Sequence, residues 1–234
     1  MPCLSSPWAL LRFRGTVAEL HERSAQAVSE LSAGGPAERA LLVMEPCDRG
    51  LVLGSSQPAS VADARACERE GVSIVRRKSG GGAVLVEPGG QLWVDVVLPA
   101  GGPLWEPDVG RAAWWLGEAW AKALEKVGVA RTGVWKGPFT RRPGGHLSCF
   151  ATLAGGEVTW GQRKVVGISQ RRTRCGALFQ CSCLLRWEPA VLTELLHLGA
   201  QDRARTEREL ANVARAVPSG AEPLLESLLA SLPK

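Results

Sequence analysis

The chain has 234 residues, 45% of them hydrophobic and 22% charged, with a formal net charge of +5 and an isoelectric point near 9.0. That is enough chain to bury most of its apolar surface, the composition is globular, and no apolar run reaches the ~18 residues of a membrane span. The basic balance points to an acidic partner such as a nucleotide, a nucleic acid or an acidic protein surface. Seven cysteines, at positions 3, 47, 67, 149, 175, 181 and 183, match neither a disulfide framework nor a paired metal set.

Met1-Pro2-Cys3-Leu4 has no basic start and no apolar core, so the expected location is the cytoplasm. Val17 to Leu31 carries helical spacing (Val17, Leu20, Ala25, Val28, Leu31), and Gly34-Gly35-Pro36 stops it. Ala40 to Met44 and Leu51 to Leu53 read as strands around the turn Pro46 to Gly50. After the loop Gly54-Ser55-Ser56-Gln57-Pro58, a helix is predicted from Ser60, as N-cap, to about Glu70. Val72 to Val75 and Ala83 to Val86 are strands flanking a glycine loop, and Gln91 to Leu98 is a longer one.

Pro107 to Val127 is the clearest helix, with an apolar stripe that includes Trp115, Leu116, Trp120 and Leu124 and reads as core. Arg131 to Trp135 is a strand, followed by a basic loop from Lys136 to Gly145. Further strands are predicted at Leu147 to Leu153, Glu157 to Trp160, Lys164 to Gln170 and Ala177 to Leu185. From Glu188 the chain is helical to its end, broken at Pro218-Ser219-Gly220. Hairpins with separate helices predict an α+β fold with a mixed, largely antiparallel sheet flanked by helices. The expected organisation is one domain over 1–234, with a core of about 35–185 and a helical extension from about 186.

Two stretches can carry chemistry. In Arg76-Arg77-Lys78-Ser79-Gly80-Gly81-Gly82-Ala83-Val84, cations lead into a hydroxyl and three glycines. Glycine lets backbone N–H groups approach a ligand closely, so the loop can offer several donors to an anion. A plain glycine turn with solvated cations has the same composition. Downstream, Lys164 opens a short apolar strand, where it can reach an anionic or carbonyl oxygen or merely guard a sheet edge. Cys181-Ser182-Cys183 reads as two thiols on one strand face rather than a metal pair. No Walker loop, dinucleotide fingerprint, nucleophile elbow or zinc-protease helix is present.

Arg77-x-Ser79-Gly80-Gly81-Gly82-Ala83-Val84, together with Gly161-x-x-Lys164-Val165-x-Gly167-x-Ser169-Gln170-Arg171-Arg172, resembles the biotin/lipoate A/B protein ligase family. Gly54-Ser55-Ser56-Gln57 and Ala177-Leu178-Phe179-Gln180 are similar to neighbouring elements of that family. The resemblance implies a fold like that of biotin ligases and class II synthetases. It implies transfer of a lipoyl or octanoyl group to a lysine of a lipoyl carrier domain, such as those of 2-oxoacid dehydrogenases or the glycine cleavage H protein.

In the ligase version ATP and Mg²⁺ yield an acyl-adenylate bound by the Arg77–Val84 loop and Lys164, with Gln57, Gly167 and Ser169 lining the site. In the transferase version no cofactor is needed: Cys149, in Ser148-Cys149-Phe150, takes octanoyl from acyl carrier protein as a thioester. Its alternative is a buried strand thiol. Val86-Glu87 departs from the family's usual His-Asp, and Gly80-Gly81-Gly82 is closer to the ligases than to the Cys-containing transferases. Arg171, Arg172 and Arg174 form an expected basic rim for an acidic carrier. Nucleic-acid and membrane partners are not expected.

Overall fold

The computed structural model describes residues 8–32 and 39–234. The Gly34-Gly35-Pro36 stop and the N-terminal tetrapeptide lie outside those residues, as do the side chains of Val28 and Leu31. In chain order the elements begin β1 (Trp8–Gly15), α1 (Val17–Ser32), β2 (Arg39–Pro46), β3 (Arg49–Leu53), α2 (Ala64–Arg69), β4 (Val72–Arg76), β5 (Val84–Val86) and β6 (Gln91–Pro99). They continue α3 (Trp114–Lys126), β7 (Thr132–Val134), β8 (Thr140–Arg141), β9 (Thr152–Leu153), β10 (Val158–Trp160), β11 (Arg163–Arg172) and β12 (Gly176–Leu184). Three helices close the chain: α4 (Pro189–Glu194), α5 (Ala200–Val213) and α6 (Ala221–Leu229).

Seven strands form the main sheet in the order β1-β2-β6-β12-β11-β10-β7. Only β1 and β2 run parallel, joined by the α1 crossover that such a pair requires. The remaining neighbours are antiparallel. A second sheet, β4-β3-β5, repeats the arrangement around α2 on a smaller scale. The fold is thus mixed α+β with a mostly antiparallel sheet, as the sequence predicts. None of the described helices is long and apolar enough to cross a membrane.

Strand alternation distributes the core. Leu92, Val94, Val96 and Leu98 of β6 face α3 and α6, where Trp120, Leu116, Leu224 and Leu228 bury against them. Trp93 and Val97 face the opposite way, onto α1 and the small sheet. Thr16 and Glu19 set the start of α1 reciprocally: the Thr16 amide donates to Glu19 Oε2 at 2.8 Å, and the Glu19 amide to Thr16 Oγ1 at 3.3 Å. Residues 8–32 thereby supply a strand and a helix ahead of the expected core. Likewise α6 packs into the same core as α3.

Several element boundaries differ from the sequence reading; from Glu188 onward, for example, the helical stretch is interrupted between α4 and α5 as well as before α6. The second helix starts at Ala64 because Asp63, not Ser60, caps it, accepting from the Ala66 amide at 2.9 Å. The long helix starts at Trp114, since Asp108 holds the preceding segment in a turn through the Gly110 amide at 2.8 Å. Residues 147–153 are not a continuous strand: Cys149–Ala151 forms a single tight helical turn before β9.

Candidate active site

The glycine loop leaves the end of β4 and is shaped from within by Arg77, which is only 5% exposed. Its guanidinium donates to the carbonyls of Gly80 (2.8 Å), Gly82 (2.8 Å) and Val52 (3.4 Å). No carboxylate pairs with it among the described residues. Gly81 adopts φ +103°, a left-handed value open to glycine. At Gly82 an added Cβ would lie 2.5 Å from the Ser148 carbonyl carbon and 2.7 Å from the Cys149 amide nitrogen. Absence of a side chain there lets the loop lie directly on the Cys149 turn.

Two backbone hydrogen bonds hold that contact. The Ala83 amide donates to the Leu147 carbonyl at 2.6 Å, and the Cys149 amide to the Ala83 carbonyl at 3.1 Å. Gln57 clamps the same junction, accepting from the Gly54 amide at 3.0 Å and donating to the Leu147 carbonyl at 3.2 Å. Ser79 ties the loop to the main sheet through Ser169 Oγ and Gln180 Oε1, each at 3.1 Å. The amides of Gly80, Gly81 and Gly82 donate to no group of the described chain, and Lys78 beside them is exposed and unpaired there. Three free amides with a free cation make a suitable seat for an anion.

Between loop and sheet opens a largely apolar cleft of about 510 Å³, counted with its mouth. Of the expected residues, Arg77, Val84, Cys149, Gly167 and Ser169 line it directly. Cys149 is half-buried at the tip of its turn, not a buried strand thiol. Cys181 and Cys183 are buried in the core beneath, and burial pushes both thiols far above the usual range, leaving them inert.

Lys164 occupies a different place from the one its sequence context suggests. It lies on an interior strand between β10 and β12, so it guards no edge, and it is 0% exposed. Its ammonium donates to Glu157 Oε1 (2.7 Å), the Cys149 carbonyl (2.9 Å) and the Thr152 carbonyl (3.1 Å). All three N–H groups are therefore used, and the residue does not line the cleft. It stands directly behind Gly167, where an added Cβ would lie 3.3 Å from Lys164 Cε and 3.6 Å from Nζ. The missing side chain at Gly167 is a window between the ammonium and the cleft.

Two functional-looking acids escape the motif reading. Glu157 is 3% exposed and accepts from Lys164, Ile168 and Ala154. Asp95, 0% exposed in the middle of β6, accepts from Trp93 Nε1 at 2.7 Å and from Ser24. Burial raises its carboxyl to about 7, opposed by its bonds from Ser24, Trp93 and Gln180. A carboxylate within an otherwise apolar strand was the available signal for it. Above Asp95, His21 rests on Trp93 with ring centres 4.6 Å apart, and burial, helped by the Arg77 charge, lowers its imidazole to about 4.

Of the expected basic rim, Arg172 is tied down. It donates to the carbonyls of Glu106 and Pro107 and lies 4.3 Å from the Trp105 ring, while Arg174 remains exposed. Glu87, standing where the family commonly has Asp, is held by Arg49 at 3.2 Å and Arg186 at 2.8 Å.

Comparison with known proteins adds an independent line. A family model, the lipoyl protein ligase A/B catalytic domain, matches residues 21–224. The fold is similar to that of a bipartite lipoate protein ligase from Thermoplasma acidophilum, solved in work that includes its E2 lipoyl domain (TM-score 0.74, 16% identity, 95% of this chain and 81% of that one). It is similar also to lipoate-protein ligase A bound with ATP (0.69, 17% identity, 95% and 83%). A further similar structure is a T. acidophilum protein with bound lipoic acid (0.70, 19% identity, 95% and 82%). At such identities these likenesses bear on the fold alone. The curated proteins contain no match.

Proposed function

Because this chain belongs to the lipoyl protein ligase A/B catalytic-domain family, an enzyme family of ligases and transferases, we propose that it joins a lipoyl or octanoyl group to a lysine of a lipoyl carrier domain. The observation that carries the reading is the meeting of an anion seat and an apolar cleft at one point, the junction of Gly82 with Cys149. An activated acyl group needs both: a slot for its chain and fixed donors for its charged head.

In the ligase version the acid's carboxylate attacks the α-phosphorus of ATP and releases pyrophosphate; the carrier lysine then attacks the acyl carbon and releases AMP. ATP supplies the leaving group. The free amides of Gly80, Gly81 and Gly82, with Lys78, suit its phosphates. Mg²⁺ would enter on the nucleotide's phosphates. Arg77, buried without a carboxylate, adds positive potential where the acyl oxygen carries negative charge. Lys164 reaches that oxygen by turning from Glu157 through the space beside Gly167.

A second reading is supported by Cys149, which lies in the cleft with its sulfur 3.4 Å from where a Gly81 Cβ would stand. Its thiolate would attack an octanoyl thioester, expel the carrier thiol and pass the acyl group to the lysine amine. The assay that separates the two incubates the protein with a lipoyl domain and either octanoate with Mg-ATP or octanoyl carrier protein. Product with Mg-ATP and undiminished activity of Cys149→Ala are expected for the ligase. Product only from the carrier-bound acyl group would overturn it.

A further inference from the structure

One buried acid takes no part in the reaction outlined above. Asp95 is 0% exposed, and its hydrogen-bond partners, Trp93 Nε1, Ser24 Oγ and the Gln180 side chain, are all neutral. Around it, Cys181 of β12 is a thiol whose proton burial retains, and His21 of α1 is a neutral imidazole near pH 7. Neither supplies the positive charge that a buried carboxylate needs.

The contacts of Asp95 locate its proton. Trp93 Nε1 can only donate, at 2.7 Å to Oδ1. Ser24 has one hydroxyl hydrogen and two acceptors within reach of it, Asp95 Oδ2 and the Leu20 carbonyl at 3.1 Å. A backbone carbonyl can only accept, so a proton on Asp95 Oδ2 satisfies every member: Asp95 donates to Ser24, and Ser24 donates to Leu20.

The order of donors extends into the cleft. Asp95, Gln180 and Ser169 stand opposite one another on β6, β12 and β11 and so share one face of the sheet. With its proton committed to Ser24, Asp95 accepts from Gln180 Nε2, which turns Gln180 Oε1 toward Ser79. Ser79 donates its single hydrogen to that oxygen at 3.1 Å and therefore accepts from Ser169 Oγ, also at 3.1 Å. The chain from Ser169 through Ser79, Gln180, Asp95 and Ser24 to Leu20 thus runs in one direction and ends on a carbonyl of α1. Bonds linked in this way polarise and strengthen one another. Ser169 and Gln180 both line the cleft, so the relay begins at the ligand's wall.

We propose that Asp95 is a positioning residue: as a neutral acid it fixes the direction of this relay and so pins Ser79, with the glycine loop, over the cleft. Ser169 Oγ is left with lone pairs only to offer a bound acyl donor. The inference rests on the acyl-transfer reading for the task of the loop.

The test compares Asp95→Asn, Asp95→Leu, Gln180→Leu and the Asp95→Leu/Gln180→Leu double variant as full chains. The first readout is hydrogen exchange, by NMR, of the Ser55 amide, which donates to the Ser79 carbonyl at 3.0 Å. The second is kcat and KM for transfer to a lipoyl domain, from octanoate with Mg-ATP or from octanoyl carrier protein. Asp95→Asn keeps the relay, its amide donating to Ser24 and its oxygen accepting from Gln180, and should match the wild type in both. Asp95→Leu and Gln180→Leu should each speed Ser55 exchange and lower kcat by about tenfold, the worth of one buried hydrogen bond. The double variant should lose no more than either single one, because the two residues act in one chain. Additive losses, or a loss in Asp95→Asn as large as in Asp95→Leu, would overturn the inference. Should Asp95→Leu fail to fold, wild-type exchange at Ser55 in Gln180→Leu overturns it equally. Absence of transfer from both donors in the wild type would sink the acyl-transfer reading, while Ser55 exchange still decides the relay.

Discussion

Replacing Lys164 by methionine tests the site most directly, because its effect on stability and its effect on chemistry can be separated. Lys164 and Glu157 form an ion pair of 2.7 Å with side chains 0% and 4% exposed. Removing one member of such a pair leaves an uncompensated buried charge, which costs about 3–5 kcal/mol. The Cys149 and Thr152 carbonyls also lose their donor. That is a large share of the 5–15 kcal/mol typical of a domain, so loss of activity in Lys164→Met alone would not distinguish unfolding from chemistry.

The double variant Lys164→Met/Glu157→Met removes both charges. Urea denaturation should show it recovering most of the lost stability, with a coupling of about 2–3 kcal/mol, the orphaned Ala154 and Ile168 amides setting the residual cost. It should nonetheless remain inactive in acyl transfer if the ammonium reaches the acyl oxygen. Wild-type stability of Lys164→Met would refute the buried-pair reasoning. Full activity in the stable double variant would reduce Lys164 to a support for the Cys149 turn.

His21 and Asp95 predict a compensated pH dependence. His21, lowered from 6.5 to about 4, contributes stability above 6.5 that is lost as pH falls toward 4. Asp95, raised from 3.8 to about 7, contributes stability below 3.8 that is lost as pH rises through 7. The opposing slopes largely cancel in the wild type. Asp95→Asn should therefore gain on the wild type by about 4 kcal/mol between pH 4 and 7, and His21→Gln should lose about 3 kcal/mol on it, measured by denaturation across that range. Flat difference curves would show that the groups keep ordinary affinities for protons. At the loop, Gly82→Ala forces its Cβ onto the Ser148–Cys149 backbone and should abolish transfer at a cost of about 1–3 kcal/mol in stability. A stable, active Gly82→Ala would deny the close approach.

Local signals were legible where they depend on neighbours in sequence. Strand alternation from Gln91 to Leu98 and the stripe from Trp115 to Leu124 gave the right elements, because pleat and helical period are properties of short segments. Caps are less legible: Ser60 and Asp63 both have capping side chains, and only the path of the preceding turn selects Asp63. Residues 8–15 carry no clean alternation, and β1 exists because α1 returns the chain to pair with it. Leu147 to Leu153 does not form one strand because Ala83 bridges Ser148 from a distant loop and the segment turns at Cys149.

By itself the sequence determined that a glycine loop and a lysine-led strand occur in one α+β chain, since composition, spacing and turn chemistry are written residue by residue. Only the tertiary structure decided that the loop rests on Cys149, that Lys164 stands behind Gly167 in the grip of Glu157, and that His21, Gln91 and Ser182 share one cleft. These residues lie far apart along the chain, and the relation between them is set by sheet register and by which surfaces bury against one another.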